Sequence, residues 1–369
     1  MKITALELIP VFSTREMGKT CPSDAEKAVS EHVVVFLRTD AGITGLGEMS
    51  DINFDPTLDV LKTLHDRLEA VLVGKSPFDL TAIQVALYEQ TWEHQVTCGI
   101  DIALHDAVAK ALEIPLYQLF GGKFRDRIAF AYPLAPCASN ADVDANLGRI
   151  ERLQDQGHPT IRYYFGRDLD CDESFLTQLR ERWGDAVEIN ALDASGRFDP
   201  DTAIDVINRF AQFKPNLVES PVKGRHNAPI EDFVKVRQAV DLPISEHVAE
   251  NAVAARLAEG HAVDIFNAGP GYVGLTACQK VFGVAEIFGI KALLGSTVEL
   301  SIGTAARAHL AAALPNIDFP CYPAGPLVYD EQICHERVKY EAGHIIVPEG
   351  PGLGVEIDPD RLQAQTLYS

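Results

Sequence analysis

Apolar and polar residues alternate from position 2 to 12 of the chain, the period of a half-buried strand. Residues 13–30 are polar and read as a loop. His32–Thr39 gives a second strand, and Asp40–Glu48 a turn followed by a third. Together they predict a small antiparallel sheet, followed by helices from about Thr57 to Leu72, Thr81 to Glu93 and Gly99 to Leu112. The rhythm then changes. Eight short apolar runs follow: Ile128–Tyr132, Thr160–Phe165, Val187–Leu192, Asn216–Glu219, Leu242–Glu246, Val263–Asn267, Ile290–Gly295 and Ile317–Tyr322. Helix-compatible segments separate them. Strand and helix alternating eight times is the pattern of a (β/α)8, TIM-like barrel; a doubly wound sheet is the runner-up, but six strands usually suffice there. Strand-like runs at Val338–Tyr340 and His344–Val347 are expected to return to the N-terminal sheet.

Three of the barrel runs end alike. Val187–Leu192 breaks into Asp193-Ala-Ser-Gly196, the fourth run ends in Glu219, and the fifth in Glu246-His247. The carboxyl ends of barrel strands are where this architecture keeps its chemistry. Oxygen and imidazole ligands on three neighbouring strands can share one Mg2+ or Mn2+. Alternation lets only one of Glu246 and His247 point inward. His247 is expected as the third ligand beside Asp193 and Glu219, with Glu246 as the alternative.

Charge sharpens this picture. The 369 residues carry a formal net charge of −21, which argues against nucleic acid or an anionic membrane surface as partner. An anionic substrate would then need local positive charge, which a bound divalent cation could supply. Seven scattered cysteines with no CxxC pair read as reduced thiols. The N-terminus lacks the apolar run of a signal peptide and no stretch is long enough to span a membrane, so a cytoplasmic enzyme is expected.

Several stretches resemble the enolase superfamily, within it the mandelate racemase/muconate lactonizing enzyme group. They are Gly42-Ile-Thr-Gly-Leu-Gly-Glu48, Cys98-Gly-Ile-Asp-Ile-Ala-Leu-His-Asp106, Pro115–Gly122, Leu192-Asp-Ala-Ser-Gly196, Val218-Glu-Ser-Pro221, Gly274-Leu-Thr276, Leu294–His309 and Pro320–Leu327. The resemblance implies an α+β capping domain over the barrel mouth, built from both termini. The expected division is residues 1–125 for the N-terminal cap, 126–325 for the barrel and 326–369 for a segment returning to the cap. It also implies a metal that holds a small-molecule carboxylate substrate, a base that removes the α-proton, an enediolate stabilised by the metal, and a homo-oligomer.

The departures are as informative. The family's Lys-x-Lys pair at the end of the second barrel strand is replaced by Arg162 and Tyr164. Asn267 and its neighbours offer no lysine on strand six, Ser296-Thr-Val-Glu299 offers no histidine on strand seven, and Tyr322 stands where a Glu is expected on strand eight. Ser195 stands where Asn is usual. Arg162 stays protonated and fits carboxylate binding or charge stabilisation. Tyr164 is a poor base at its ordinary pKa of about 10, which a metal and Arg162 would lower; it is the expected general acid/base. Tyr322 is the candidate to act from the far side of the substrate. In the N-terminal loop, Arg15, Lys19 and Lys27 are candidates for contacting an anion. The expected reaction is an isomerisation, cycloisomerase or epimerase in kind. A dehydratase or lyase of a hydroxy acid is the alternative enzyme, and a non-catalytic metal- and ligand-binding homologue the alternative class.

Overall fold

Alternation in the first fifty residues becomes a three-stranded antiparallel sheet. In the computed structural model, which describes residues 1–15, 29–90, 92–330 and 332–368, β1 (Ile3–Thr14) pairs with β2 (Val29–Thr39) and β2 with β3 (Thr44–Met49). Lys19 and Lys27 lie outside the described residues. Val33, Val35 and Leu37 pack with Leu61, Leu68, Ile100 and Leu104 to give this cap its own apolar core. The helix His94–Ala111 crosses β3 at backbone contact. A Cβ at Gly47 would stand 2.0 Å from the Gly99 carbonyl oxygen, so only glycine permits the crossing.

The run expected as the first barrel strand divides. Its start is β4 (Arg127–Ala129), whereas the barrel begins with β5 (Tyr132–Leu134). Parallel pairing then continues through β6 (Thr160–Tyr164), β7 (Glu188–Asp193), β8 (Leu217–Glu219), β9 (Ile244–Val248), β10 (Ile265–Ala268) and β11 (Lys291–Leu294). Among the described residues these seven strands form one sheet. The eighth position is filled by two residues rather than by a full strand. The Tyr322 amide donates to Leu294 at 2.9 Å, the Ala131 amide to Cys321 at 2.8 Å and the Cys321 amide to Ala129 at 2.7 Å, which closes the barrel.

These strands are covered on both faces, which is why they read as unbroken apolar runs. The helices between them are amphipathic. Pro200–Phe210, for example, starts at an Asp199 cap with proline in its first turn and buries Ala203, Val206, Ile207 and Phe210 on one stripe.

The C-terminal hairpin corrects an expectation. Its strand β12 (Tyr340–Glu341) pairs with β13 (His344–Ile346), and β13 pairs with β4, not with the N-terminal sheet. The turn between β4 and β5 leaves β4 with an open edge, and the hairpin covers it. It is the last helix, Pro359–Gln365, and its exit that lie against β1, with the Leu367 amide donating to Pro10 at 3.0 Å.

Two buried carboxylates in the resemblance motifs act as fasteners. Glu48 accepts from the Leu300 and Gly303 amides at 2.7 and 2.8 Å, where the helix Ser301–Ala313 begins. Asp106 accepts from Leu46 and Leu353 at 2.7 and 2.8 Å and pairs with Lys110.

His309, on the helix Ser301–Ala313, is tied into the fold by its ring nitrogens. His309 accepts from the Tyr117 amide and lies 3.1 Å from the Leu353 carbonyl, and burial pushes its pKa down to about 4. The unfolded chain then binds a proton that the folded chain refuses. Stability from this group is present above the unfolded value near 6.5 and lost as pH falls toward 4. About 2 kcal/mol of that loss should appear between pH 7.5 and 5. In urea titrations at the two pH values, His309→Gln is expected to lose less stability on acidification than the parent; equal losses would refute the assignment.

Candidate active site

Register brings the strand-end residues to one level. Tyr164 is paired with Asp193 across β6 and β7, and Asp193 with Glu219 across β7 and β8. Arg162 lies two residues before Tyr164 and therefore on the same face, so its side chain rises between the two carboxylates. Its Nη2 donates to Asp193 Oδ2 and, at 2.6 Å, to Glu219 Oε1. Its Nη1 donates to the Tyr164 hydroxyl at 2.9 Å. The guanidinium is also stacked between two rings, 4.5 Å from the Tyr164 centroid and 4.4 Å from that of Tyr322.

The surroundings fix each group further. Asp193 opens a tight turn in which Ser195, at φ 51°, returns its amide and hydroxyl to Asp193 Oδ1 at 2.7 and 3.1 Å. Gly196 follows at φ 71°, where a Cβ would stand 2.6 Å from Arg225. Val298 also holds a positive φ of 53°, costly for a β-branched residue, and it too lines the site.

Strand β9 separates the two candidates for its end. Glu219 is level with Ser245, and His247 is level with Asn267 on β10, so His247 faces the barrel interior. Glu246 goes to the other face, where it accepts from the Ser220 hydroxyl at 2.8 Å and the His247 amide at 2.7 Å. Burial pushes its carboxyl up to about 8.

Electrostatics follow from burial. The Arg162 charge would be opposed by desolvation alone, but Glu219, Tyr164 and Asp193 hold its pKa well above the usual value. Glu219 is pushed up to about 7 by burial, against the pull of Arg162. His247 is held well below its ordinary pKa by burial and then by Arg225 and Arg162, so its imidazole is neutral. Arg225 Nη2 lies 2.8 Å from His247 Nδ1. Arginine only donates, so Nδ1 accepts and the imidazole proton sits on Nε2, directed at Glu219 Oε1 3.2 Å away. Asn267 adds a further donor to that oxygen at 2.9 Å.

A cavity of about 580 Å3 opens above this cluster. Arg162, Tyr164, Asp193 and His247 line it from the barrel, and Arg15 and Asp51 from the cap. Tyr322 does not. It is fully buried on the inner side of Arg162, among barrel-interior residues such as Ala191 and Leu217, and burial beside Glu219 raises its pKa well above 10. Its expected approach to the substrate is thereby corrected, since it supports Arg162 from below.

Arg197, Arg225 and Asn267 had drawn no notice as functional residues. The two arginines stand in the loops just after β7 and β8, and both line the cavity. Their signal was position: loops after barrel strands build the mouth of the fold.

A (β/α)8 barrel beneath an α+β cap, with a buried carboxylate–arginine cluster at the strand ends, defines a capped-barrel enzyme. The chain belongs to the mandelate racemase/muconate lactonizing enzyme group of the enolase superfamily. Residues 20–121 match the "Mandelate racemase / muconate lactonizing enzyme, N-terminal domain" family, and residues 147–361 the "Enolase C-terminal domain-like" family. It is 30% identical to a chloromuconate cycloisomerase of Pseudomonas putida, over 98% of both chains. It is 29% identical to an L-Ala-D/L-Glu epimerase of Bacillus subtilis, over 88% of this chain and 89% of that one. The fold matches the muconate lactonizing enzyme structure from Pseudomonas putida with a TM-score of 0.87, at 24% identity over 99% of this chain and 100% of that one. The comparisons support an isomerase enzyme.

Enzymes of this family are in general metal-dependent. Asp193, Glu219 and His247 do converge, but on Arg162. One oxygen of each carboxylate is taken by the same guanidinium nitrogen, Asp193 Oδ1 is taken by Ser195, and the imidazole lone pair is directed at Arg225. Among the described residues no group of three His, Cys, Asp or Glu side chains is arranged to hold a metal ion. As they stand, these residues do not fit one.

Proposed function

We propose that the chain is an isomerase that takes a small carboxylate into the barrel mouth and moves a proton α to that carboxylate. The observation that carries this reading is the clustering of Arg15, Arg162, Arg197 and Arg225 around one cavity in a chain of net charge −21. Such a concentration of fixed cations against the overall field selects an anion and pre-organises its charge. Arg162 is the cation nearest the site of proton transfer, and it meets negative charge that develops on the carboxylate oxygens. Tyr164, whose hydroxyl takes a bond from Arg162 and which lines the cavity, is the acid/base group.

Proton transfer on one face is favoured. Across the barrel from β6 lies β10, whose end carries Asn267, and the neighbouring strand end carries Ser296; neither titrates. Cycloisomerisation therefore fits better than an epimerisation that needs a base on each face. The Mg2+ or Mn2+ expected from the strand-end carboxylates has no part in this reading, since an ion there would have to expel Arg162. Six free cysteines among the described residues support a reducing, cytoplasmic setting. Among the described residues, no helix is long and apolar enough to cross a membrane.

The test is solvent exchange. Incubated in D2O with muconates, their lactones and dipeptides, the protein is expected to place deuterium next to a carboxylate in at least one of them, read by proton NMR. Saturable binding of one of these acids with no exchange at any pH would replace the isomerase by a binding protein.

A further inference from the structure

We infer that the Arg162 guanidinium occupies the place of the divalent ion, and that the site stabilises its anionic intermediate without metal. The inference rests on the isomerase reading for its chemistry, but not for its geometry. The two carboxylates that would face an ion are on adjacent strands at the same level, and Arg162 Nη2 stands between them in contact with both. A metal of the usual kind lies about 2 Å from each oxygen ligand, a point this nitrogen already fills.

Arg162 is also not free to leave. Expelling it would break two buried ion pairs, its bond to the Tyr164 hydroxyl and its stacking on two rings. The third ligand position has been rebuilt in the same sense. His247 accepts at Nδ1 from Arg225 and turns Nε2 toward Glu219 Oε1, so it acts as a donor to the carboxylate rather than as a ligand. Asn267 adds another donor to the same oxygen. These donors converge on Glu219 Oε1, and each would have to be undone for an ion to reach that oxygen. A single charge replaces a double one, and Arg225 and Arg197 at the same cavity supply the remainder.

Mn2+ titration followed by EPR tests this without any turnover. The intact protein at neutral pH is expected to bind no Mn2+ up to about 1 mM, the weakest affinity of functional interest here. Arg162→Ala, with the guanidinium gone and both carboxylates exposed to the vacancy, is expected to bind at least about tenfold more tightly. Should that variant not fold, Asp193→Asn decides: no change in the Mn2+ signal relative to the parent is expected. Micromolar binding of Mn2+ by the parent that Asp193→Asn abolishes would overturn the inference and leave the isomerase proposal standing. Conversely, absence of proton exchange with any acid would remove the proposed function and leave the metal result unaffected.

Discussion

Replacing Arg162 with leucine is expected to slow α-proton exchange about 10³-fold and to destabilise the fold by about 3–5 kcal/mol. The first number follows from removing the nearest fixed cation from developing negative charge in a buried site. The second follows from leaving Asp193 and Glu219 side by side, both buried, without the group that holds them. Part of that penalty can be relieved by protonation. Glu219 is raised to about 7 even with Arg162 present. A raised carboxyl contributes stability that is present at low pH and lost as pH rises through its folded value. The variant should therefore fall further behind the parent at pH 8.5 than at pH 6. Arg162→Lys is expected to recover much of the stability and little of the rate, because one ammonium cannot satisfy two carboxylates and a phenol in a fixed plane. Urea denaturation and NMR exchange rates separate the two effects. A leucine variant with parental stability would show that the carboxylates do not depend on Arg162.

Tyr164→Phe is expected to lower exchange by about 10²–10⁴-fold while changing stability by less than about 1 kcal/mol. The substitution keeps the ring that stacks on Arg162 and removes only the hydroxyl. Substrate binding, carried by the arginines, should be largely retained, so the loss belongs in kcat rather than KM. Full turnover in this variant would assign proton transfer to another group. Parallel loss in Tyr322→Phe, whose hydroxyl is sealed beneath Arg162, would point to positioning of the arginine instead of acid/base chemistry.

The barrel was legible because buried parallel strands leave continuous apolar runs separated by amphipathic stripes, a signal read locally. Where it failed, pairing rather than propensity decided. Ile128–Tyr132 reads as one strand, yet its first residues pair with the C-terminal hairpin and the barrel takes over only at Tyr132. The last strand is carried by Cys321 and Tyr322, too short to have a period.

At the site, the strand-end positions of Asp193, Glu219 and Glu246-His247 could be read from sequence, and alternation with a period of two left room for only one of the last pair at the interior; register with Asn267 on β10 gives that place to His247. Arg197 and Arg225 could not be read, since loop residues have no periodicity to betray the direction they face.

What the chain alone determined was which residues arrive at the mouth of a barrel: two carboxylates, an imidazole, an arginine and a tyrosine at successive strand ends. What only the tertiary structure decided was how they satisfy one another. Carboxylates on neighbouring strands are equally suited to a cation brought from solution and to one supplied by the next strand. The choice depends on whether Arg162 has the register and reach to stand between Asp193 and Glu219. It has both, because β6, β7 and β8 end level and Arg162 sits one side-chain repeat below that level.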